Sequence, residues 1–177
     1  MLDSLHSSFA HFATWPIVAL LFIVFLICTQ GFEWRRKTLG YETRALDGRF
    51  WYSPAEARDF LHHIGPNGRR IYAVTELTLD ILFPLVYGTL FAALIIQVYA
   101  PDRGKFLLLV PLLAAVFDVL ENITTAYLAW QYDGRTSPIA RGAAVFTATK
   151  SALLLLSLIL IAIGAIISAS HMYRSRT

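Results

Sequence analysis

The sequence predicts an all-α integral membrane protein, a four-helix bundle that forms a single domain over residues 1–177. Its composition is the first reason: 56% of the residues are hydrophobic and 15% are charged, whereas soluble domains carry about 25% charged residues. The second reason is that the apolar residues form four blocks, each long enough to cross a hydrocarbon core, which takes about 20 helical residues. Because a backbone in lipid must satisfy its own hydrogen bonds, all four blocks are predicted to be helices.

We predict spanning helices at about residues 10–31, 70–99, 106–130 and 143–170. The first block lacks the leading basic residues and the cleavage site of a signal peptide, so it is predicted to be a membrane helix. Cys28, the single cysteine, is predicted to be a plain buried thiol near the inner end of that helix. Pro84 and Pro111 are predicted to bend the second and third helices.

The distribution of basic residues predicts the orientation in the membrane. Ten of the fifteen Lys and Arg residues lie in or directly beside the two longer connections, 33–69 and 131–142. The positive-inside rule therefore places both connections in the cytoplasm and both termini outside. Compactness and loop charge favour a bacterial plasma membrane. The net charge of +3 follows from the same rule, so membrane lipids are the expected partners and nucleic acid is not.

The 33–69 connection contains a short amphipathic helix at the membrane surface. The run "SPAE", Ser53 to Glu56, has the pattern of a capping box with proline at the first helical position, which predicts a helix over about 54–63. His62 and His63 lie near its end. Adjacent helical residues point about 100° apart, so this pair is predicted to be two surface histidines and not a metal site.

Polar residues interrupt three of the apolar blocks, and within each block they lie on one helical face. The helical rise of about 1.5 Å per residue places the charged ones roughly 9–13 Å from the inner ends of their helices, all at one depth. We therefore predict that they converge on an acidic pocket in the cytoplasmic half of the bundle. The stripes contain Glu76, Asp80 and Tyr87 in the second helix, Asp118, Glu121, Asn122 and Thr125 in the third, and Thr147 and Lys150 in the fourth.

Within this pocket the sequence suggests a role for each polar residue. The candidate catalytic residues are Asp118 and Glu121; the candidate binding residues are Glu76, Asp80, Asn122, Lys150 and Tyr87; the candidate metal ligands are Asp80, Asp118 and Glu121. Four carboxylates face one lysine. Three remedies for this excess of negative charge are open: some acids stay protonated, a divalent cation such as Mg²⁺ binds, or Arg69 and Arg70 turn inward.

These remedies correspond to three hypotheses about function. In the first, the pocket binds a cation or a polar group of a lipid or small-molecule substrate, and the protein is a small lipid-modifying enzyme. In the second, it is a proton- or cation-coupled carrier or channel subunit. In the third, the polar network only fixes helix packing. Small residues at Ala144/Ala148 and Gly164/Ser168 could pack helices between copies, giving a homo-oligomer, or within one chain.

Overall fold

The computed structural model describes residues 2–40 and 45–174, and this part of the chain is helical throughout its regular structure, with no strand. An all-α fold is thereby confirmed. The eight helices are α1 (Leu2–Phe12), α2 (Trp15–Leu39), α3 (Pro54–His63), α4 (Gly65–Glu76), α5 (Leu79–Val98), α6 (Pro101–Leu107), α7 (Leu109–Trp130) and α8 (Ile139–Arg174).

Four stretches of the described chain are long and apolar enough to cross a membrane, which confirms a multi-pass helical bundle. They are Trp15–Leu39, Gly65–Val98, Pro101–Trp130 and Ile139–Ser170. The second span is built from α4 and α5, and the third from α6 and α7.

Proline and glycine set the observed ends of the first span, which lie a few residues further along the chain than the predicted bounds of 10–31. Pro16 occupies the first turn of α2, where its missing N–H is no loss because that turn has no intrahelical acceptor for it. The helix continues through the charged run after residue 32. It ends at Gly40, whose left-handed φ of 64° allows its N–H to bond back to the last turn.

The second and third spans are each discontinuous. In the second, α4 ends at Glu76 and α5 begins at Leu79, so the break falls between two predicted site residues. In the third, α6 and α7 meet at Leu108. Pro111 follows in the first turn of α7, and a proline ring clashes with the carbonyl four residues earlier, which here belongs to Leu107.

The second and third spans form the centre of the bundle. In their most apolar windows 44% and 39% of the residues are buried, against 11% in the first and fourth spans. Helix α5 packs against α7, α2 packs against α5 and α4, and α8 packs against α7 and α5. Aromatic rings fill the contact between the first two spans, with Phe25 and Phe32 both lying within about 5 Å of the ring of Phe83.

Helix α3 is the predicted short amphipathic helix, and its capping box is confirmed. The Ser53 hydroxyl accepts from the Glu56 main chain, and the Glu56 carboxylate accepts from the Ser53 N–H. These bonds to the ionised form hold the pKa of Glu56 below its ordinary value. Phe60 and Leu61 are buried against the bundle, while His62 and His63 are exposed, as expected for surface histidines.

Both small-residue pairs named as candidate oligomer contacts contribute to packing inside the chain. A side chain on Gly164 would collide with Val98 and Tyr99, and the Ser168 hydroxyl donates to the Val98 carbonyl at 3.0 Å. Ala144 is fully buried in the cluster of apolar side chains beneath α3. Packing within one chain is therefore enough to explain why small residues lie at these positions.

Candidate functional site

Arg35 lies at the centre of the first of two buried ionic clusters. Its guanidinium donates from Nη1 to Glu76 Oε1 at 2.7 Å and to Asp80 Oδ2 at 2.6 Å, and from Nη2 to Asp47 Oδ2 at 2.6 Å. The guanidinium carbon also lies about 5 Å from the ring centres of Phe32 and Tyr72. We call Arg35, Asp47, Glu76 and Asp80 the Arg35 cluster.

Asp47 is the member of the Arg35 cluster that lies outside the spans, in a short 3-10 turn at Leu46–Gly48. Burial acts to raise the pKa of this carboxyl group, but the charges of Arg35 and Lys150, together with hydrogen bonds to the carboxylate, outweigh burial and hold the pKa below its ordinary value. The Tyr72 hydroxyl donates to the second carboxylate oxygen at 3.3 Å. Asp47 is therefore an ionised partner that the connection supplies to the membrane helices.

Lys150 lies at the centre of the second cluster. Its Nζ is 2.7 Å from Asp118 Oδ1 and 2.5 Å from Glu121 Oε2. Each carboxylate has a further partner: the Tyr87 hydroxyl donates to Asp118 Oδ2 at 2.9 Å, and the Thr147 hydroxyl lies 2.5 Å from Glu121 Oε1. We call Lys150, Asp118 and Glu121 the Lys150 cluster; Tyr87 and Thr147 orient its acids.

Helix α7 connects the two clusters. The Thr125 hydroxyl donates to Glu76 Oε2 at 2.7 Å, one turn along α7 from Glu121. The side-chain amide of Asn122 donates to the main-chain carbonyl of Asp80, so Asn122 also joins α7 to the second span. The amide oxygen of Asn122 is buried and has no partner among the described residues.

Tyr52 enters the same region from the connection. Its side chain is fully buried, and burial together with the nearby carboxylate of Glu121 raises the pKa of its phenol above the ordinary value. The hydroxyl lies next to that of Thr147 without completing a hydrogen bond of ordinary geometry. Tyr52 thus brings an incompletely satisfied polar atom to the space beside the Lys150 cluster.

All seven candidate catalytic and binding residues are buried and close to one another, none more than 7% exposed. Their grouping differs from the predicted metal set of Asp80, Asp118 and Glu121, because Asp80 pairs with Arg35 while the other two pair with Lys150. The carboxylates that approach one another in a cation-binding arrangement are Asp47, Glu76 and Asp80, whose oxygen atoms lie within 4.8 Å of one another.

Three members of this site are absent from the sequence prediction: Arg35, Asp47 and Tyr52. Arg35 lies in the charged run that the sequence assigns to the connection. Its signal is the spacing to Cys28, because residues seven apart share a helical face, and both are buried. Asp47 and Tyr52 carry no local signal. Arg69 and Arg70 do not enter the site: Arg69 donates to the Leu61 carbonyl, and Arg70 is exposed.

The fold and the site together define a multi-pass helical membrane protein with buried acidic residues. Five carboxylates in the two clusters face two cationic side chains, so the formal excess of negative charge is again three. Comparison with known proteins found no matching family model, no matching curated protein and no matching solved structure.

Proposed function

We propose that the two clusters form a cation-binding pocket and that the protein is a small lipid-modifying membrane enzyme built around it. The observation that carries the proposal is the excess of three carboxylates over cationic side chains in a buried network. Uncompensated charge inside a membrane protein is costly and usually has a functional partner. A divalent cation that takes the place of the Arg35 guanidinium would lower this excess from three to two.

Oxygen ligands for such a cation are available in the Arg35 cluster. Mg²⁺ prefers carboxylate and carbonyl oxygens, and the carboxylates of Asp47, Glu76 and Asp80 lie within 4.8 Å of one another. Asn122 adds a buried amide oxygen with no partner in the described chain. The Arg35 guanidinium stands where a cation would be held. Binding of a metal or of a cationic substrate group would therefore compete with Arg35 for these acids.

The Lys150 cluster supplies the candidate catalytic groups. A carboxylate serves as a general base when it lies within hydrogen-bond reach of the proton it takes. Glu121 and Asp118 both contact Lys150, and Tyr87 fixes one oxygen of Asp118. In the proposed enzyme Lys150 and Tyr87 bind and orient, and one of the two acids accepts a proton from a polar lipid group.

Bound metal tests the cation pocket directly. Detergent-purified chain is dialysed against millimolar Mg²⁺, freed of excess ion, and measured for metal per chain by plasma mass spectrometry. We expect one Mg²⁺ per chain in the wild type, loss of the ion in Glu76→Gln, and retention in Asp102→Asn, whose carboxylate is 99% exposed. Absence of metal from the wild type, or retention by Glu76→Gln, would reject the pocket.

A proton- or cation-coupled carrier is the second candidate, and the break in the second span favours it. Discontinuous membrane helices line the binding sites of many transporters, and here the break at residues 77–78 separates Glu76 from Asp80. The measurement is proton entry into proteoliposomes driven by a potassium diffusion potential. If the protein carries protons, the wild type gives an influx and Asp80→Asn abolishes it. If the protein is an enzyme, neither the wild type nor Asp80→Asn gives an influx.

The proposed orientation keeps both termini outside and the connections 40–64 and 131–138 in the cytoplasm. With the buried Arg35 left out of the count, nine basic residues remain in or beside these connections against four on the other side, so the positive-inside bias persists. A membrane-impermeant maleimide tests it on Ser137→Cys and Ser4→Cys in a Cys28→Ala background. In intact cells the residue-4 cysteine should react and the residue-137 cysteine should not; the reverse pattern would invert the topology.

A further inference from the structure

A groove on the outside of the bundle, between α2 and α4, has the features of a lipid headgroup site. It is lined by Trp34, Asn67, Arg70, Ile71, Val74 and Thr75. The ends of the two helices approach closely just beside it, since a side chain on Gly68 would meet Leu39. The lining contains one cationic side chain and no acid.

The polarity of the groove changes along α4. Asn67 and Arg70, near the start of the helix, are exposed, and Arg70 has no hydrogen bond or ion pair with the residues that the structure describes. One turn further into the span, the lining is apolar at Ile71 and Val74. Trp34, 61% exposed, lies alongside, and tryptophan is enriched at the membrane–water boundary.

We propose that this groove binds the headgroup of an anionic glycerophospholipid of the leaflet on the connection side. Arg70 would pair with the phosphate through charge-assisted hydrogen bonds, Asn67 would donate to it, and the first acyl segment would lie along Ile71 and Val74. A zwitterionic headgroup offers the same phosphate but adds a cation that the groove has no acid to receive. The preference is therefore for lipids with net negative charge.

The groove lies next to the Arg35 cluster, separated from it by the contact between α2 and α4. Trp34 precedes Arg35, and Thr75 precedes Glu76, so the same two turns of helix face the lipid on one side and the cluster on the other. The groove is thus a binding site separate from the proposed catalytic groups, and it does not depend on the proposed function.

Fluorescence of Trp34 provides the test, in a variant that keeps it as the single tryptophan. Trp15, Trp51 and Trp130, all exposed, are changed to phenylalanine. The full chain is reconstituted in phosphatidylcholine vesicles containing increasing brominated phosphatidylglycerol or brominated phosphatidylcholine. We expect half-maximal quenching at a mole fraction roughly fivefold lower for phosphatidylglycerol, the effect of about one basic residue at an anionic surface.

Two charge-neutralising variants make the test specific. Arg70→Gln should remove the difference between the two lipids, and Arg141→Gln, an exposed arginine at the start of α8, should leave it intact. Equal quenching by both lipids in the single-tryptophan chain would overturn the proposal. So would an equal loss of the lipid difference in Arg70→Gln and Arg141→Gln. No metal takes part in this measurement, so the two proposals can fail separately. Lipid binding without metal binding would refute only the cation pocket. Metal binding without a preference for the anionic lipid would refute only the lipid site.

Discussion

Asn122 on α7 donates its side-chain amide to the main-chain carbonyl of Asp80 on α5. In a regular helix that carbonyl would accept from the N–H four residues later, but that position is Pro84, which has none. The bond from α7 therefore satisfies an acceptor that proline leaves open in a setting where no water replaces it. The proline in one span and the amide in the next are therefore structurally linked.

This relationship predicts that the cost of losing Asn122 depends on Pro84. Asn122→Ala should lower the free energy of unfolding by about 1–3 kcal/mol, the cost of a buried polar group left unsatisfied. In a Pro84→Ala background the helix supplies its own N–H, so the same change should cost clearly less. This double-mutant cycle is measured by unfolding the wild type, the two single variants and the double variant in mixed detergent micelles. Additive effects would contradict the coupling.

The fold was predictable because it depends on features that are local and abundant. Four apolar blocks of sufficient length leave a lipid-embedded backbone only helices, and the capping box at Ser53 is readable from four residues. The ends of the helices were less predictable. The charged run after Phe32 resembles a connection, but the buried, paired side chain of Arg35 belongs to the helix, which continues to Leu39 and ends at the Gly40 cap.

The candidate site was partly predictable for a similar reason. Asp118, Glu121 and Asn122 share a helical face by their spacing, so their convergence with Lys150 follows from helix geometry and depth. Asp47 and Tyr52 reach the site through the path of the connection, which no periodicity encodes. The partition into an Arg35 cluster and a Lys150 cluster likewise depends on how the four spans pack.

Arg35 should contribute far more to stability than its neighbour Arg36. Arg35→Gln leaves three acids without their common partner, and breaking a buried ion pair costs about 3–5 kcal/mol. Arg36 pairs with Glu33 on the helix surface at 2.6 Å, where a pair contributes about 0–1 kcal/mol. Denaturant unfolding of the two single variants separates them. A small, equal loss in both would mean that the Arg35 cluster does not hold α2 to the bundle.

Thr125 and Thr124 form a matched pair for testing the connection between the clusters. Thr125→Val keeps the shape but removes the hydroxyl that donates to Glu76 at 2.7 Å, and should cost about 1–3 kcal/mol. The Thr124 hydroxyl bonds its own helix, to the Leu120 carbonyl, and the residue is only half-buried, so Thr124→Val should stay within about 0.5 kcal/mol. Similar unfolding free energies for both variants would argue against the link.

Two glycines of α8 should respond to alanine in opposite directions. A β-carbon on Gly164 would lie 2.7 Å from the Tyr99 ring, and such overpacking costs about 1–3 kcal/mol. Gly142 has no atom within 4 Å of that position, so alanine there should stabilise the helix by about 0.5–1 kcal/mol. Melting temperatures in detergent show whether each variant is less or more stable than the wild type. A stabilising Gly164→Ala would show that α8 is not packed closely on Tyr99.

The stability that Asp47 provides should depend on pH. Because Arg35, Lys150 and hydrogen bonds to the carboxylate together hold the pKa of Asp47 below its unfolded value, which is about 3.9, ionised Asp47 stabilises the fold above that value. Its contribution is lost as the pH falls through the lower pKa of the folded state. The melting temperature of the wild type should thus exceed that of Asp47→Asn at pH 7, and the difference should shrink below about pH 4. Asp102→Asn, an exposed acid, should match the wild type throughout. A difference that is constant from neutral to acid pH would show that Asp47 acts through its shape and not its charge.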